Sequence, residues 1–313
     1  MRRLAALLAV AAVAGGARHP PQRFGIVAFD LRAPVPQKLA ELGVGLVRGS
    51  CGWDALEPSP GVFAWDCADN VIAGAAALDL RSYLTVTCTP AWANRGAGCA
   101  QMPDAIGDWY DFVARFVARY STYRPVLGIW NEPNLTLAGT ADGRNYALLY
   151  VNASRARDAT DPTIVLAGPE TSHHAVATGY YAGALDAIRA SGGLEPQDIV
   201  AVHWYPDGPP FDQYLDDVHA IAGDRDVWLT ETGIATPDAG AQAAFYDQML
   251  TRFLSPARPW WWTHLIFYRL WDGERCCTAA ILTSDYQNTP AFDLYRDRLA
   301  ALAPPERPPR RQP

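Results

Sequence analysis

Two glutamates, Glu132 and Glu231, sit where a carboxylate is costly to keep. Glu132 lies in Ile129-Trp130-Asn131-Glu132-Pro133-Asn134 and Glu231 in Trp228-Leu229-Thr230-Glu231-Thr232-Gly233. Each ends a short apolar, β-prone run and is followed at once by a breaker or loop. Desolvating an unpaired carboxylate costs several kcal/mol or shifts its pKa, so two built alike read as a working pair. Convergent carboxylates in different environments suit glycosidic bond cleavage. One is protonated and helps the leaving oxygen depart; the other is ionised and attacks or stabilises the anomeric carbon. Asn131, beside Glu132, carries an amide able to bind a sugar hydroxyl. Arg48, ending Leu46-Val47-Arg48, can hold a neighbouring carboxylate ionised, because a close opposite charge lowers an acid's pKa; an ordinary ion pair at a rim is the plainer alternative.

The two glutamates are 99 residues apart, and the elements between them give that spacing its meaning. Eight short apolar or β-branched runs begin near Phe24, Gly45, Ser82, Val126, Thr163, Ile199, Asp226 and His264. Their starts lie 21 to 44 residues apart, about the length of one strand-plus-helix unit. Helical periodicity fills the gaps. Its best stretch is Ile106, Trp109, Tyr110, Val113, Phe116, Val117 and Tyr120, with Asp104 as the expected cap. Tyr146, Leu149, Tyr150 and Ala153 give another. Val71 to Leu80, Tyr181 to Ile188, Tyr214 to Ile221, Ala243 to Phe253 and Phe292 to Leu302 occupy most of the rest. This alternation implies a parallel sheet with helices outside, and eight units favour closure into a single (β/α)8 TIM barrel of the α/β class. Active sites of such barrels form at the C-terminal strand ends. Glu132 then ends strand four and Glu231 strand seven, facing each other across the mouth.

The barrel is expected over residues 18–303. Before it, Arg2, Arg3 and the apolar run Leu4 to Ala14 read as a secretory signal peptide, residues 1–17, too short to span a bilayer. After it, residues 304–313 form a Pro/Arg-rich tail expected to be disordered. The expected location is therefore secreted or periplasmic. A formal net charge of −7 and a pI near 5.3 argue against a nucleic-acid surface, and no membrane partner is expected. Six cysteines suit an oxidising compartment, but six allow about 15 pairings. A local scheme joins Cys51 to Cys67 and Cys88 to Cys99, leaving Cys276-Cys277 as a vicinal disulfide or two thiols; long-range bridges and free buried thiols stay open. No cysteine spacing resembles a zinc site, and no metal or other cofactor is expected.

Trp-Asn-Glu-Pro (130–133) and Thr-Glu-Thr-Gly (230–233) resemble the strand-four and strand-seven elements of clan A retaining glycoside hydrolases. The stretch from Arg48 through Trp53, Glu57-Pro58 and Gly61 to Trp65-Asp66 is similar to the strand-two signature of family 39 and its barrel-only relatives. The resemblance runs from about Phe24 to Leu302. It implies Glu132 as acid/base, Glu231 as nucleophile, Asn131 against the 2-hydroxyl, and Arg48 and Tyr205 hydrogen-bonded to the nucleophile. Tyr205 lies in Val202-His203-Trp204-Tyr205-Pro206, which resembles the clan's His-x-Tyr element. Trp271 is implied as the aromatic floor of the sugar subsite. His203 is a substrate ligand or a hydrogen-bonded core residue, and Trp53 and Trp92 are subsite walls or packing. His173-His174 could touch sugar. The substrate expected is an oligo- or polysaccharide, cut at a β-linkage. No residues remain here for the β-sandwich of many family 39 enzymes, which favours the barrel-only members, several of which cut within chains; endo and exo action both stay open.

Other barrel chemistries lack their residues. A Schiff-base aldolase needs a strand-end lysine, and Lys38 is the single lysine, placed before strand two. A metal-dependent amidohydrolase would show His-x-His on strand one, where Phe24-Gly25-Ile26-Val27-Ala28 has none. The remaining rival is a non-catalytic carbohydrate-binding barrel, which has no need of both glutamates.

Overall fold

The computed structural model describes residues 22–139, 141–177, 179–273 and 279–302. In it the eight runs become β1 (Phe24–Val27), β2 (Leu46–Gly52), β3 (Arg81–Thr87), β4 (Val126–Ile129), β5 (Val165–Thr171), β6 (Ile199–His203), β7 (Val227–Thr232) and β8 (Trp262–Phe267). Each starts within two residues of its expected position. Every strand pairs in parallel with the next, and β8 returns to β1 with Phe267 beside Ile26, which closes the barrel. The first helices are α1 (Val35–Leu42), α2 (Trp53–Leu56), α3 (Asp66–Ala77), α4 (Ile106–Tyr120), α5 (Pro133–Thr136) and α6 (Arg144–Thr160). They are followed by α7 (His174–Ala177), α8 (Tyr180–Ala190), α9 (Phe211–Ala222), α10 (Ala239–Leu254) and α11 (Pro290–Ala300).

The strands are covered on both faces, which is why they read as continuous apolar runs rather than alternating ones. Inward-facing Val27, Leu46, Tyr83, Val126, Trp228 and Ile266 fill the barrel, and a larger cluster packs the helices outside it. Helix α4 has the expected bounds, with Trp109 donating its indole N–H to the Leu149 carbonyl of α6 at 2.9 Å. Its start differs from expectation. Asp104 does not cap it: the residue before the helix is Ala105, with no side-chain cap, and the Asp104 carboxylate instead meets Arg95 at 2.9 Å. The Asp104 N–H donates to the Ala93 carbonyl at 2.8 Å, so the residue closes the preceding loop rather than the helix end.

Cys51 on β2 is bonded to Cys67 on α3, and Cys88 to Cys99 across the loop after β3. Loops of 16 and 11 residues each contribute roughly 3 kcal/mol if closed without strain. Cys276-Cys277, the leader and the tail lie outside the described residues. Non-reducing peptide mapping should recover both local pairs, and Cys88→Ala with Cys99→Ala should lower Tm by about 5 °C or more. A bridge from either pair to a distant cysteine would overturn the scheme. No helix among the described residues is long and apolar enough to cross a membrane.

Strand register is regular around β2 to β4 and irregular where functional side chains emerge. It slips between Pro169 and Thr171 on β5, between Val202 and His203 on β6, and between Leu229 and Thr232 on β7. Such bulges re-aim side chains at a barrel rim. Here they turn Glu170, His203 and Glu231 towards one point.

Candidate active site

Strand β2 carries Arg48 into the mouth of the barrel, 1% exposed. It donates from Nη1 to Glu231 Oε1 at 2.5 Å and from Nη2 to Asn131 Oδ1 at 2.8 Å. Tyr205, just past β6, donates its hydroxyl to Glu231 Oε2 at 2.9 Å. His203 closes β6 and is wholly buried; its Nδ1 lies 3.0 Å from Glu132 Oε1 and 3.6 Å from Glu231 Oε2. One oxygen of each of Glu132 and Glu231 and one ring nitrogen of His203 lie within 4.8 Å of one another. Six of the residues expected at the site (Arg48, Asn131, Glu132, His203, Tyr205 and Glu231) thus converge.

Glu132 gets there through a turn that strand propensity alone would not make. Trp130 has φ 63° and Glu132 φ 45°, left-handed conformations that cost non-glycine residues roughly 1–2 kcal/mol each. Surrounding bonds hold the turn in place. The Trp130 N–H donates to the Val86 carbonyl at 2.9 Å and that of Glu132 to the Glu170 carbonyl at 3.0 Å. The Thr136 hydroxyl accepts from the Trp130 indole at 3.0 Å and donates to the Asn131 carbonyl at 2.5 Å. Pro133 then starts α5 with a preset φ.

A third carboxylate belongs to the cluster and was missed in the sequence. Glu170 on β5 is fully buried, pairs with Arg48 Nη2, and lies 3.1 Å from the Thr85 hydroxyl, which donates to it. Its φ of 41° is again left-handed. Gly128 on β4 leaves it room, since a Cβ there would stand 2.0 Å from Glu170 Oε1. The signal existed: Val165 to Thr171 is another β-prone run ending in a carboxylate. Gly168-Pro169 hides it by reading as a strand break.

Charge sorts these groups. Burial would raise both Glu231 and Glu170. For Glu231 the charges of His203 and Arg48 and the Tyr205 hydrogen bond outweigh it; for Glu170 Arg48 and then His203 do. Both stay below the usual carboxylate range. For His203 burial acts downward, yet the Glu231 charge, the bond to Glu132 and the nearby Glu170 raise it to about 9. At neutral pH the cluster therefore holds two cations, Arg48 and the His203 imidazolium. Glu132, His203 and Glu231 have metal-ligand spacing; their donor atoms are engaged with Arg48, Tyr205 and one another.

Above the cluster opens a cavity of about 570 Å³, lined by Arg48, Asn131, Glu132, Tyr205 and Glu231 together with Ser50, Thr87, the Cys88–Cys99 bridge, Trp130, Phe29 and Tyr268. Of the outlying aromatics, Trp53 takes the packing alternative and Trp271 departs from its expected place. Trp53 is no subsite wall: it is fully buried, donates to Glu57 Oε2 at 2.9 Å and packs edge-on against Trp92 and Trp109. Trp92 is half-buried and gives its indole N–H to the Glu57 carbonyl at 2.8 Å. Trp271 is not the floor of this cavity. It stacks on Tyr286, centroids 4.5 Å apart, and lines a separate depression of about 180 Å³ that, among the described residues, shares only Phe29 with the main one. Tyr268, one residue past β8 and edge-on to Tyr205, lines the cavity instead. His173 is buried against the exposed His174, and neither is among the cavity's lining residues.

Residues 103–262 match the family model of the glycosyl hydrolase catalytic core. No curated protein sequence matches the chain. Among solved structures, a glucosidase from Croceicoccus marinus aligns with TM-score 0.70 at 16% identity, over 89% of this chain and 66% of its own. A GH39 β-xylosidase from Caulobacter crescentus aligns with TM-score 0.69 at 18% identity, over 92% of this chain and 73% of its own. Xylanase B from Clostridium stercorarium F9 gives 0.60 at 16%, over 88% of this chain and 96% of its own. The chain thus spans just under two thirds of the glucosidase, and at these identities the likeness speaks for the fold. The sequence match covers slightly more than half of the 313 residues, and on it the chain belongs to the glycosyl hydrolase catalytic core family.

Proposed function

We propose that the protein is a secreted, retaining glycoside hydrolase that cleaves β-linked oligo- or polysaccharides, including internal linkages. The observation that carries this reading is the approach of the Glu132 and Glu231 oxygens to within 4.8 Å. Retaining pairs stand roughly 5–5.5 Å apart, whereas inverting pairs stand about 6.5–9.5 Å apart to admit a water. Glu231, held ionised by Arg48 and Tyr205, attacks the anomeric carbon while Glu132 passes its proton to the departing glycosidic oxygen. A water then replaces Glu231 at that carbon and gives its proton back to Glu132. Asn131 accepts from Arg48 through Oδ1, which leaves its amide N–H groups to donate to the hydroxyl beside the reacting carbon. The names β-xylosidase and xylanase among the similar structures favour a β-linkage. The apolar leader and two disulfides favour export.

The test is a panel of aryl β-glycosides and β-linked polysaccharides, with the fresh product of any active substrate followed by proton NMR. The first-formed anomer should have the configuration of the substrate. An inverted first product would reject the double displacement.

A further inference from the structure

Glu170 is the carboxylate of the cluster that does not reach the cavity. Its side chain is 0% exposed, against 11% for Glu231 and 21% for Glu132, and it is not among the lining residues. A buried carboxylate that meets no substrate is costly unless paired, and its partners indicate its use. Arg48, which it binds, also binds Glu231 and Asn131. The Glu170 carbonyl takes the N–H of Glu132. His203, with Nε2 3.9 Å from Glu170 Oε2, touches Glu132. Among the described residues Thr85 and the nearby Tyr83 hydroxyl serve Glu170 alone, and Gly128 clears the space.

The geometry points to Glu170 as a positioning residue that holds Arg48 in place while the charge on Glu231 comes and goes. The inference rests on the retaining reading above. When Glu231 attacks, its carboxylate becomes a neutral glycosyl ester. Arg48 then loses one counter-charge, and Glu132 gains a charge by giving up its proton. Glu170 is the member of the trio whose charge stays constant through both steps. It also divides the guanidinium. Arginine prefers a two-pronged grip on one carboxylate; with Glu170 on Nη2, Glu231 receives a single arginine N–H and keeps lone pairs for the anomeric carbon. His203 depends on the same arrangement. It faces Glu132 after β4, Glu170 on β5, Glu231 on β7 and Arg48 on β2, with His173 further off and Tyr214 bonded to its carbonyl. Removing the constant negative charge should make the imidazolium easier to deprotonate.

Glu170→Gln keeps the volume and the acceptor for Thr85 and removes the charge. We expect kcat to fall about 10- to 100-fold, as for a slight misplacement of reacting groups, with KM changed by less than about threefold. The alkaline limb of the kcat/KM profile should move to lower pH. A merely structural role would lower the Tm and the active fraction and leave that profile where it was. If Glu170→Gln does not fold, Thr85→Val loosens the carboxylate without discharging it; it should lower kcat with no alkaline shift, and wild-type kcat in that variant overturns the inference. Histidine ¹⁵N NMR of the wild type adds a readout free of activity: one imidazole should remain doubly protonated at pH 8. An inactive wild type would sink the glycosidase reading. An active wild type with every imidazole neutral at pH 8, or Glu170→Gln with unchanged kcat and pH profile, would sink the role given to Glu170.

Discussion

Glu231→Gln should lose turnover by roughly 10⁴-fold or more, the scale on which nucleophile removal acts in another covalent hydrolytic mechanism, while sugar binding persists. The amide fills the same volume: its one oxygen can still accept from Arg48 Nη1, and its NH2, in the place of Oε2, can donate to the Tyr205 hydroxyl that now donates to Glu231, so the cavity keeps its shape. What it loses is the charge that attacks. In the wild type a 2-deoxy-2-fluoro glycoside of the right sugar with a good leaving group should leave a covalent adduct, because fluorine slows both steps and the leaving group restores the rate of the first alone. Peptide mass spectrometry should place that adduct on Glu231, and calorimetry on Glu231→Gln should return a dissociation constant close to that of the intact site. A label on another carboxylate rejects the assignment. If no glycoside is ever turned over but oligosaccharides still bind, the carbohydrate-binding reading takes its place.

Strand ends were legible because a doubly buried strand is an unbroken apolar run, and a carboxylate at its end stands out against it. That contrast located Glu132 and Glu231. The strand count then placed them opposite each other, Arg48 and Asn131 stood out by their chemistry at strand ends, and His203 and Tyr205 followed from the resemblance. Glu170 escaped because the bulge and the left-handed turn that bury it have no local signature: Gly168-Pro169 breaks the pattern just before the carboxylate. Trp53, open in the sequence between subsite wall and packing, is packing. A tryptophan after β2 reads as a loop residue, but α2 turns it inward and Glu57 four residues on satisfies its indole. Around β8 the chain offers Tyr268 and Trp271 within four residues, and only the path of the backbone tells which of them lines the cavity.

Glu132→Ala should separate substrates by leaving group. General acid help contributes about 10²–10⁴-fold, and only a poor leaving group needs it, so natural glycosides should lose that much in kcat/KM while dinitrophenyl glycosides lose little. Turnover of the activated substrates should still be slow, because Glu132 is also the base that readies water in the second step, and the glycosyl-enzyme should accumulate. Azide needs no base. The space left by the missing side chain lies beside His203, whose Nδ1 stands 3.0 Å from Glu132 Oε1 in the intact site and whose charge favours an anion. Millimolar azide should therefore restore turnover of aryl glycosides, and a β-glycoside should yield the β-glycosyl azide. The rescue should weaken as pH rises, and should do so below the intact site's value of about 9, because the variant lacks the Glu132 bond that helps hold the His203 proton. Equal losses on good and poor leaving groups, with no azide product at any pH, would leave Glu132 without the acid/base role.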